Sequence, residues 1–225
     1  MNLLGFDTST AAAAVCVLRQ DGEEFELAPG PERLAEPPAH ARELMPAVAE
    51  VMQRADLGYA DLGAIAVGVG PGTFTGLRIG ISTARALGRA NDVPLRPVSS
   101  LAALAEGIEA PLRLPLIDAK RGELFAALYE DGRRRWGPLA ASPEEVAERV
   151  AERVAEGGGT ALAAGDGAVR FRGVLEAAGI RVEPAESGAH VVRGLHVCRL
   201  AAAVTPGPPD AVLPEYLRLP DAKPR

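Results

Sequence analysis

The sequence predicts an α/β protein in which mixed β-sheets are covered by helices. Three short apolar runs, separated by turn-forming residues, occupy the first 27 positions. Segments with helical periodicity then alternate with further apolar runs. Hydrophobic residues make up 48% of the 225 positions, which is enough to bury one large core or two smaller ones.

The first half of the chain supports this class element by element. Residues 3–6, 11–18 and 23–27 predict three antiparallel strands, with Asp7–Thr10 and Asp21-Gly22 as the turns. Later patterns predict, in order, a helix at 44–55, a buried strand at 64–69, a helix from about Phe74 to Ala90, a strand at 95–98 and a helix at 99–106. This order is typical of one lobe of actin-like and sugar-kinase proteins, a ribonuclease-H-like unit.

The second half predicts a smaller α/β lobe. Ser142 before Pro143, with Glu145 three residues after the serine, has the pattern of a capping box that opens a helix. The other predicted elements are strands at 112–117, 123–129 and 160–164, helices at 169–178 and 191–203, and an extended or short helical segment at 212–219. We therefore expect a first lobe over 1–106, carrying an interface helix, and a second over 107–225, with about 205–219 returning to the first. No internal repeat of fixed period is visible.

Composition excludes several classes of protein. The net charge of -6 does not favour nucleic-acid binding as a sole function. The two cysteines, Cys16 and Cys198, form no CxxC pair, so neither a disulfide scaffold nor a zinc knuckle is expected. The sequence shows neither a secretory signal pattern nor an apolar run long enough for a membrane span. We expect a cytoplasmic protein without membrane contact.

The Asp7-Thr8-Ser9 turn is a candidate nucleotide-binding motif. A turn between two antiparallel strands presents N–H groups and hydroxyls of the kind that bind phosphate. A plain β-turn uses the same residues, and their spacing alone favours that simpler interpretation.

The most unusual local feature is a glycine-rich turn and the helix that follows it. Glycines at 70 and 72 allow a sharp strand-to-helix turn, and the absence of Gly-Lys-Ser/Thr excludes a Walker loop. Small residues recur every four positions along the helix and share one face. This face predicts a close contact, either inside the lobe or with a second subunit. The candidate interface residues are Gly76, Leu77, Gly80, Ile81, Ala84, Leu87 and Gly88.

A charged hairpin is the other candidate site. Asp118, Lys120, Arg121 and Glu123 lie at its bend, where the carboxylates could hold a metal or act as acid and base, although a polar hairpin is the commoner explanation. A helical metal pair is absent, because Leu44 stands four residues after His40. We predict no catalytic residue and no metal ligand.

Taken together, these pieces resemble the TsaB (YeaZ-type, glycoprotease-like) family of bacterial tRNA threonylcarbamoyladenosine biosynthesis proteins. The most specific piece is the segment from Gly70 to Gly80, and the hairpin from Asp118 to Glu123 is next. The others, in family order, are Phe6-Asp7-Thr8-Ser9, His40 to Pro46, Val98-Ser99-Ser100-Leu101, Gly165-Asp166-Gly167 and Pro214-Glu215-Tyr216-Leu217-Arg218.

The resemblance implies a two-lobed, actin-like ATPase fold and a non-catalytic role. It implies a partner or dimerisation subunit that supports a catalytic homologue, TsaD, together with an ATPase, TsaE. Homodimers or heterodimers would form through first-lobe helices, which favours the intermolecular interpretation of the glycine stripe. Contact with tRNA would occur through the complex, and no cofactor would be required. ATP binding by this subunit stays open, since no second phosphate loop accompanies the Asp7 turn.

Two other functions remain as alternatives. An independent actin-like ATPase, kinase or protease would use the Asp7 turn with Asp118 and Glu123. A direct tRNA-binding module is opposed by the net charge.

Overall fold

Two five-stranded mixed sheets form the framework of the protein. The structure is a computed structural model that describes residues 1–218. The first sheet has the order β3-β2-β1-β4-β5. Its strands are β1 (Asn2–Asp7), β2 (Ala14–Leu18), β3 (Glu24–Leu27), β4 (Leu62–Gly70) and β5 (Leu95–Ser99). The antiparallel β1–β2 pair brings Asp7 opposite Ala14, and β4 pairs with β1 in parallel.

The second sheet repeats this strand order. Its order is β10-β9-β6-β7-β8, in which the first three strands in sequence are again antiparallel and the last two run parallel to the first. The strands are β6 (Leu112–Lys120), β7 (Glu123–Glu130), β8 (Arg133–Ala141), β9 (Leu162–Ala164) and β10 (Arg181–Val182). The predicted actin-like fold of two mixed sheets covered by helices is confirmed. The repeat is one of topology, which is why no periodicity appears in the sequence.

Seven α-helices cover the sheets within residues 1–218. Those with long amphipathic patterns start where expected: α2 follows the glycine turn, and the Ser142 capping box opens α4. The helices are α1 (His40–Arg54), α2 (Phe74–Asn91), α3 (Ser100–Glu106), α4 (Pro143–Arg153), α5 (Asp166–Arg170), α6 (Arg172–Ala177) and α7 (Gly194–Ala201). None of them is long and apolar enough to cross a membrane.

The last helix packs on the first sheet. In α7, Cys198 is fully buried, and its Sγ lies 3.7 Å from the carbonyl oxygen of Cys16 on β2. A Cβ on Gly194 would lie 2.7 Å from the Cys16 nitrogen, so the helix backbone contacts the strand directly. The chain therefore returns to the first lobe before residue 205, whereas the predicted division at 106/107 assigned α7 to the second lobe.

The predicted helix at 169–178 is divided in the structure. Phe171, with φ -108°, separates α5 from α6. The short strand β10 was not predicted, because two residues carry no readable periodicity. Residues 212–218 form an extended segment rather than a helix, and position 219 of that prediction lies outside the described residues.

A shared core joins the two lobes. Leu101 and Leu104 of α3 pack with Ile117 of β6, Phe125 of β7 and Val197 of α7 in one buried cluster. Because this cluster includes residues of both sheets, burial of apolar surface holds the lobes together.

Candidate functional site

The residues Asp7, Thr8 and Ser9 at the start of the β1–β2 turn are buried, and their side chains are hydrogen-bonded within the chain. Asp7, Thr8 and Ser9 are 1%, 0% and 0% exposed. The carboxylate of Asp7 accepts hydrogen bonds from the Ser9 nitrogen (2.7 Å), the Ser9 hydroxyl (2.6 Å) and the Ser100 hydroxyl (2.5 Å). The Thr8 hydroxyl donates to the carbonyl oxygen of Gly76 at 2.8 Å. The side chains predicted to contact phosphate are therefore bonded within the protein.

Helix α2 is seated on this turn through its glycines. The Thr73 nitrogen donates to the Ser9 carbonyl at 2.8 Å, where the chain enters the helix. A Cβ on Gly76 would lie 2.0 Å from the Thr8 carbonyl oxygen, and one on Gly80 would lie 2.3 Å from the Thr8 hydroxyl. Real Cβ atoms do not approach other atoms so closely, so these positions require glycine.

This packing decides what the glycine stripe contacts in a single chain. Six of the seven candidate interface residues are buried, and Leu87 is partly buried. Their close contact is with the chain's own β1–β2 turn and strands, which accounts for the stripe without a second subunit. Whether α2 meets a partner through another face stays a prediction. That outer face includes the exposed Thr75 and Ala86.

The β6–β7 turn occupies the corresponding position in the second lobe, but its cationic side chains, Lys120 and Arg121, are solvent-exposed. The buried Asp118 carboxylate accepts hydrogen bonds from the Lys120 ammonium at 2.8 Å and the Arg170 guanidinium at 2.7 Å. Burial alone would favour its neutral form, but these bonds outweigh burial and lower the pKa of Asp118. Asp166 accepts a hydrogen bond from the Asp118 nitrogen at 2.9 Å, and burial raises its pKa.

The β6–β7 turn and the C-terminal segment border a cleft between the lobes, with a volume of about 300 Å³. Its lining includes the start of α2, the charged hairpin and residues 215–218. The ring of Tyr216 stacks on Phe74 with centroids 5.3 Å apart, and Arg78 covers the Phe74 ring at 3.7 Å. The Glu215 nitrogen donates to the Val69 carbonyl at 2.7 Å. The C-terminal segment is thereby held against the first lobe at the cleft.

The same segment also contacts the second lobe. The Arg218 guanidinium lies 2.7 Å from the Glu123 carboxylate and 3.3 Å from the Ala119 carbonyl oxygen. Of the predicted hairpin residues, Glu123 therefore forms an ion pair that connects the lobes. Within this segment Glu215 and Tyr216 contact the first lobe, and Arg218 contacts the second.

The histidines have structural positions. His40 begins α1; its Nε2 lies 2.8 Å from the Thr10 carbonyl oxygen, and burial lowers its pKa. His190 is fully buried, with Nδ1 3.1 Å from the Gly165 nitrogen and Nε2 2.9 Å from the Pro184 carbonyl oxygen. Over residues 1–218, no three His, Cys, Asp or Glu side chains are arranged to hold a metal ion.

Sequence reasoning missed several residues of these turns. Ser100 bonds to Asp7 from 93 positions away, and Gly68 makes room for the same carboxylate, because a Cβ there would lie 1.8 Å from Asp7 Oδ2. Arg170 and Tyr216 were likewise unassigned. The Ser99-Ser100 motif was visible in the sequence, but its long-range partner was not.

These features define a class of protein: a two-lobed, actin-like fold in which helix α2 covers the β1–β2 turn of the first lobe. A family model described as "TsaD: tRNA N6-adenosine threonylcarbamoyltransferase" matches residues 31–173, more than half of the chain. The chain belongs to this family, and its nearer similarity is to the TsaB (YeaZ) proteins within it.

Individual relatives support this assignment. An uncharacterized protein of Mycobacterium tuberculosis is 35% identical over 99% of this chain and 94% of its own length. The tRNA threonylcarbamoyladenosine biosynthesis protein TsaB of Escherichia coli is 34% identical over 67% of this chain. The solved structure of YeaZ from Pseudomonas aeruginosa superposes with a TM-score of 0.76 at 25% identity, over 96% of this chain and 99% of that one.

Not all of these matches extend over the full length of the relative. The match covers 66% of the E. coli protein, and a match to a Mycobacterium leprae relative covers 40% of that protein.

Proposed function

We propose that this chain is a non-catalytic partner subunit in tRNA threonylcarbamoyladenosine biosynthesis. In this role it associates with a TsaD-type homologue that transfers threonylcarbamoyl to an adenosine near the anticodon. An ATPase of the TsaE type completes the complex, which acts in the cytoplasm. The chain forms a homodimer when alone and requires no cofactor of its own.

The observation that carries this proposal is the occupied β1–β2 turn. An actin-like enzyme must present this turn to phosphate, but here Thr8 and Ser9 donate their hydroxyl hydrogens within the chain. Freeing the Thr8 hydroxyl would require α2 to move, because it donates to Gly76 and lies against Gly80. The lobe thus retains the framework of a catalytic relative while its phosphate-binding groups serve packing. Use of these hydroxyls for packing suits a subunit that binds a partner better than an enzyme that hydrolyses ATP.

A surface suited to a partner lies on the first lobe. A concavity of about 510 Å³ lies between the N-terminal ends of α1 and α2. Its lining is mostly small or apolar, with Pro38, Ala39, Ala41, Thr75 and Ile79 among its residues. Small side chains let a facing helix approach closely, so van der Waals contacts accumulate over the whole surface. We expect the homologous lobe of TsaD to cover this concavity, and a second copy of this chain to use it when TsaD is absent.

Co-purification with the TsaD homologue of the same host tests the proposal. Thr75→Arg places a long charged side chain at the exposed edge of the concavity and should reduce recovery of the complex at least tenfold. Ala177→Arg is the matched control, because Ala177 is also exposed on a helix but lies in the second lobe. Both variants should keep the wild-type melting temperature. Equal recovery of the Thr75→Arg and wild-type complexes would show that this surface is not the interface.

The alternative, an independent actin-like ATPase, kinase or protease, predicts a different result. The purified chain alone would hydrolyse ATP, and Asp7→Ala would abolish the activity. Failure of the wild-type chain to associate with TsaD, combined with such turnover, would replace the partner proposal with the enzymatic one.

A further inference from the structure

The β6–β7 turn holds two long cationic side chains in a backbone conformation that does not suit them. Within residues 1–218, five residues other than glycine have positive φ. Three are aspartates, which tolerate the left-handed region because their short side chains bond locally. The other two are the consecutive Lys120 (φ 64°) and Arg121 (φ 56°). Tight hairpin turns favour Asn, Asp or Gly at such positions.

Strain of this kind is retained where the side chains have a use. Both Lys120 and Arg121 are exposed. Lys120 bonds to Asp118 while 63% of its side chain faces solvent, and Arg170, on the same carboxylate, is 49% exposed. Anchored at one end of the turn, these cations remain accessible to a ligand.

The charged groups around the turn differ in exposure. Asp118 is buried, and Glu123, Asp166 and Glu215 are half-buried. The exposed groups are the cations Lys120, Arg121 and Arg170. The turn thus presents cations to solvent, on a chain whose net charge is -6.

We propose that this cationic turn, formed by Lys120, Arg121 and Arg170, contacts the sugar-phosphate backbone of RNA. The inference rests on the proposed function, in which the complex acts on tRNA. Exposed cations on a protruding turn suit a polyanion that passes over the surface, because each phosphate neutralised releases counterions. Such contacts carry no sequence information and need no base recognition. The turn orients RNA for the partner subunit rather than selecting its sequence.

The test is tRNA binding by the complex of this chain with its TsaD homologue, measured by filter binding from about 50 to 200 mM salt. The variant is Lys120→Asn with Arg121→Asn, since asparagine tolerates the left-handed region. The control is Arg133→Asn with Arg134→Asn, which removes the same charge from exposed positions on β8. The hairpin variant should bind at least tenfold more weakly. Its log–log salt slope should be shallower by roughly 1.4–1.8, at about 0.7–0.9 for each of the two phosphates that the variant no longer neutralises.

The melting temperature separates a binding role from a structural one. Relief of backbone strain should leave the hairpin variant as stable as the wild type or more stable. Unchanged affinity and salt slope in this variant would overturn the inference, as would an equal loss in the control. If the variant keeps tRNA binding but loses binding of free ATP, measured with a fluorescent analogue, the ligand is a free nucleotide and the RNA assignment is wrong.

Co-purification of wild type and homologue is recorded on the same preparations. If they do not associate, the proposed function fails. The RNA contact is then tested by the same salt titration of tRNA binding with the full chain alone. If they associate and the hairpin variant binds tRNA as the wild type does, the RNA contact fails while the partner role stands.

Discussion

The two lobes have the same strand order, yet the hairpins that join their first two strands have opposite environments. In the first lobe, Asp7, Thr8 and Ser9 are buried beneath α2. The Ser9 hydroxyl donates to Asp7, and the Thr8 hydroxyl donates to the Gly76 carbonyl of that helix. In the second lobe, Lys120 and Arg121 extend into solvent from a strained turn. Each hairpin contains a buried aspartate. One aspartate is satisfied by neutral donors and the other by cations.

This difference shows that topology alone does not determine a binding site. Each turn joins the first two strands of its sheet, but a neighbouring element decides which of them is accessible. In the first lobe that element is α2, whose glycines permit contact with the Thr8 backbone. The duplicated lobe thus divides two roles, with one turn supporting the packing of a helix and the other available to a ligand.

The largest expected effect comes from filling the contact between α2 and the first turn. In Gly76→Ala, the new Cβ would lie 2.0 Å from the Thr8 carbonyl oxygen, which belongs to the backbone and has little room to move. We expect a loss of roughly 2–4 kcal/mol in the free energy of unfolding, measured by urea denaturation.

The matched control for this substitution is in the second lobe. Gly173 lies in α6, and a Cβ there would meet no atom within 4 Å. Gly173→Ala should stabilise the protein by about 0.5–1 kcal/mol, because alanine favours the helix. Equal effects of the two substitutions would mean that α2 does not rest on the turn.

The two buried aspartates provide the next comparison. Asp7→Asn keeps the shape but weakens three hydrogen bonds in a site that water does not reach, at an expected cost of about 1–3 kcal/mol. Asp118→Asn removes ion pairs with two cations that are largely exposed, so we expect about 1 kcal/mol or less, decreasing further at high salt.

Urea denaturation of both asparagine variants at low and high salt would measure this difference. A larger loss for Asp118→Asn, or a salt-sensitive loss for Asp7→Asn, would reverse the assignment of buried and exposed turns.

The contact between Gly80 and Thr8 tests the same packing of α2 on the turn, with a smaller expected loss in the free energy of unfolding. Gly80→Ala brings a Cβ to 2.3 Å from the Thr8 hydroxyl, with the remaining Thr8 side-chain atoms at 3.6 Å or beyond. We expect a loss of roughly 1–2 kcal/mol. In a Thr8→Ala background the obstructing oxygen is gone, so the added cost of Gly80→Ala should disappear. A double-mutant cycle measures this coupling, and strict additivity would mean that the two residues do not touch.

Much of the fold was predictable from local patterns. Hydrophobic periodicity and turn-forming residues predict the strands of the first sheet, the start of α2 after Thr73 and the Ser142 capping box. The stripe of small residues correctly predicted a close contact. Its partner was not predictable, since the contact joins Gly76 to Thr8, 68 positions away.

The second lobe was harder to predict for physical reasons. Its β10 has two residues, and α5 and α6 are separated by Phe171, so each element is shorter than the window in which a period can be recognised. Placement of α7 on the first sheet depends on packing of Cys198 against Cys16, which no local pattern encodes. The positive φ of Lys120 and Arg121 was equally invisible, because long side chains are not typical of the left-handed region even at the bend of a hairpin.

The smallest effect is a difference in pH dependence between the lobes. Burial lowers the pKa of His40 in the first lobe, and that of His196 in α7 likewise. Between the folded pKa and the unfolded value of about 6.5, the unfolded chain binds more protons, so stability falls as pH drops below about 6.5. The pKa of Asp118 is lowered too, but from 3.8, so its contribution is lost only at more acidic pH.

His40→Gln should therefore reduce the slope of unfolding free energy between pH 5 and 6.5 by about 1 kcal/mol per pH unit or less. Asp118→Asn should leave that window unchanged and alter stability below about pH 4. Urea denaturation across this pH range measures both slopes, and a His40→Gln profile parallel to the wild type would mean that the first lobe does not hold this imidazole neutral.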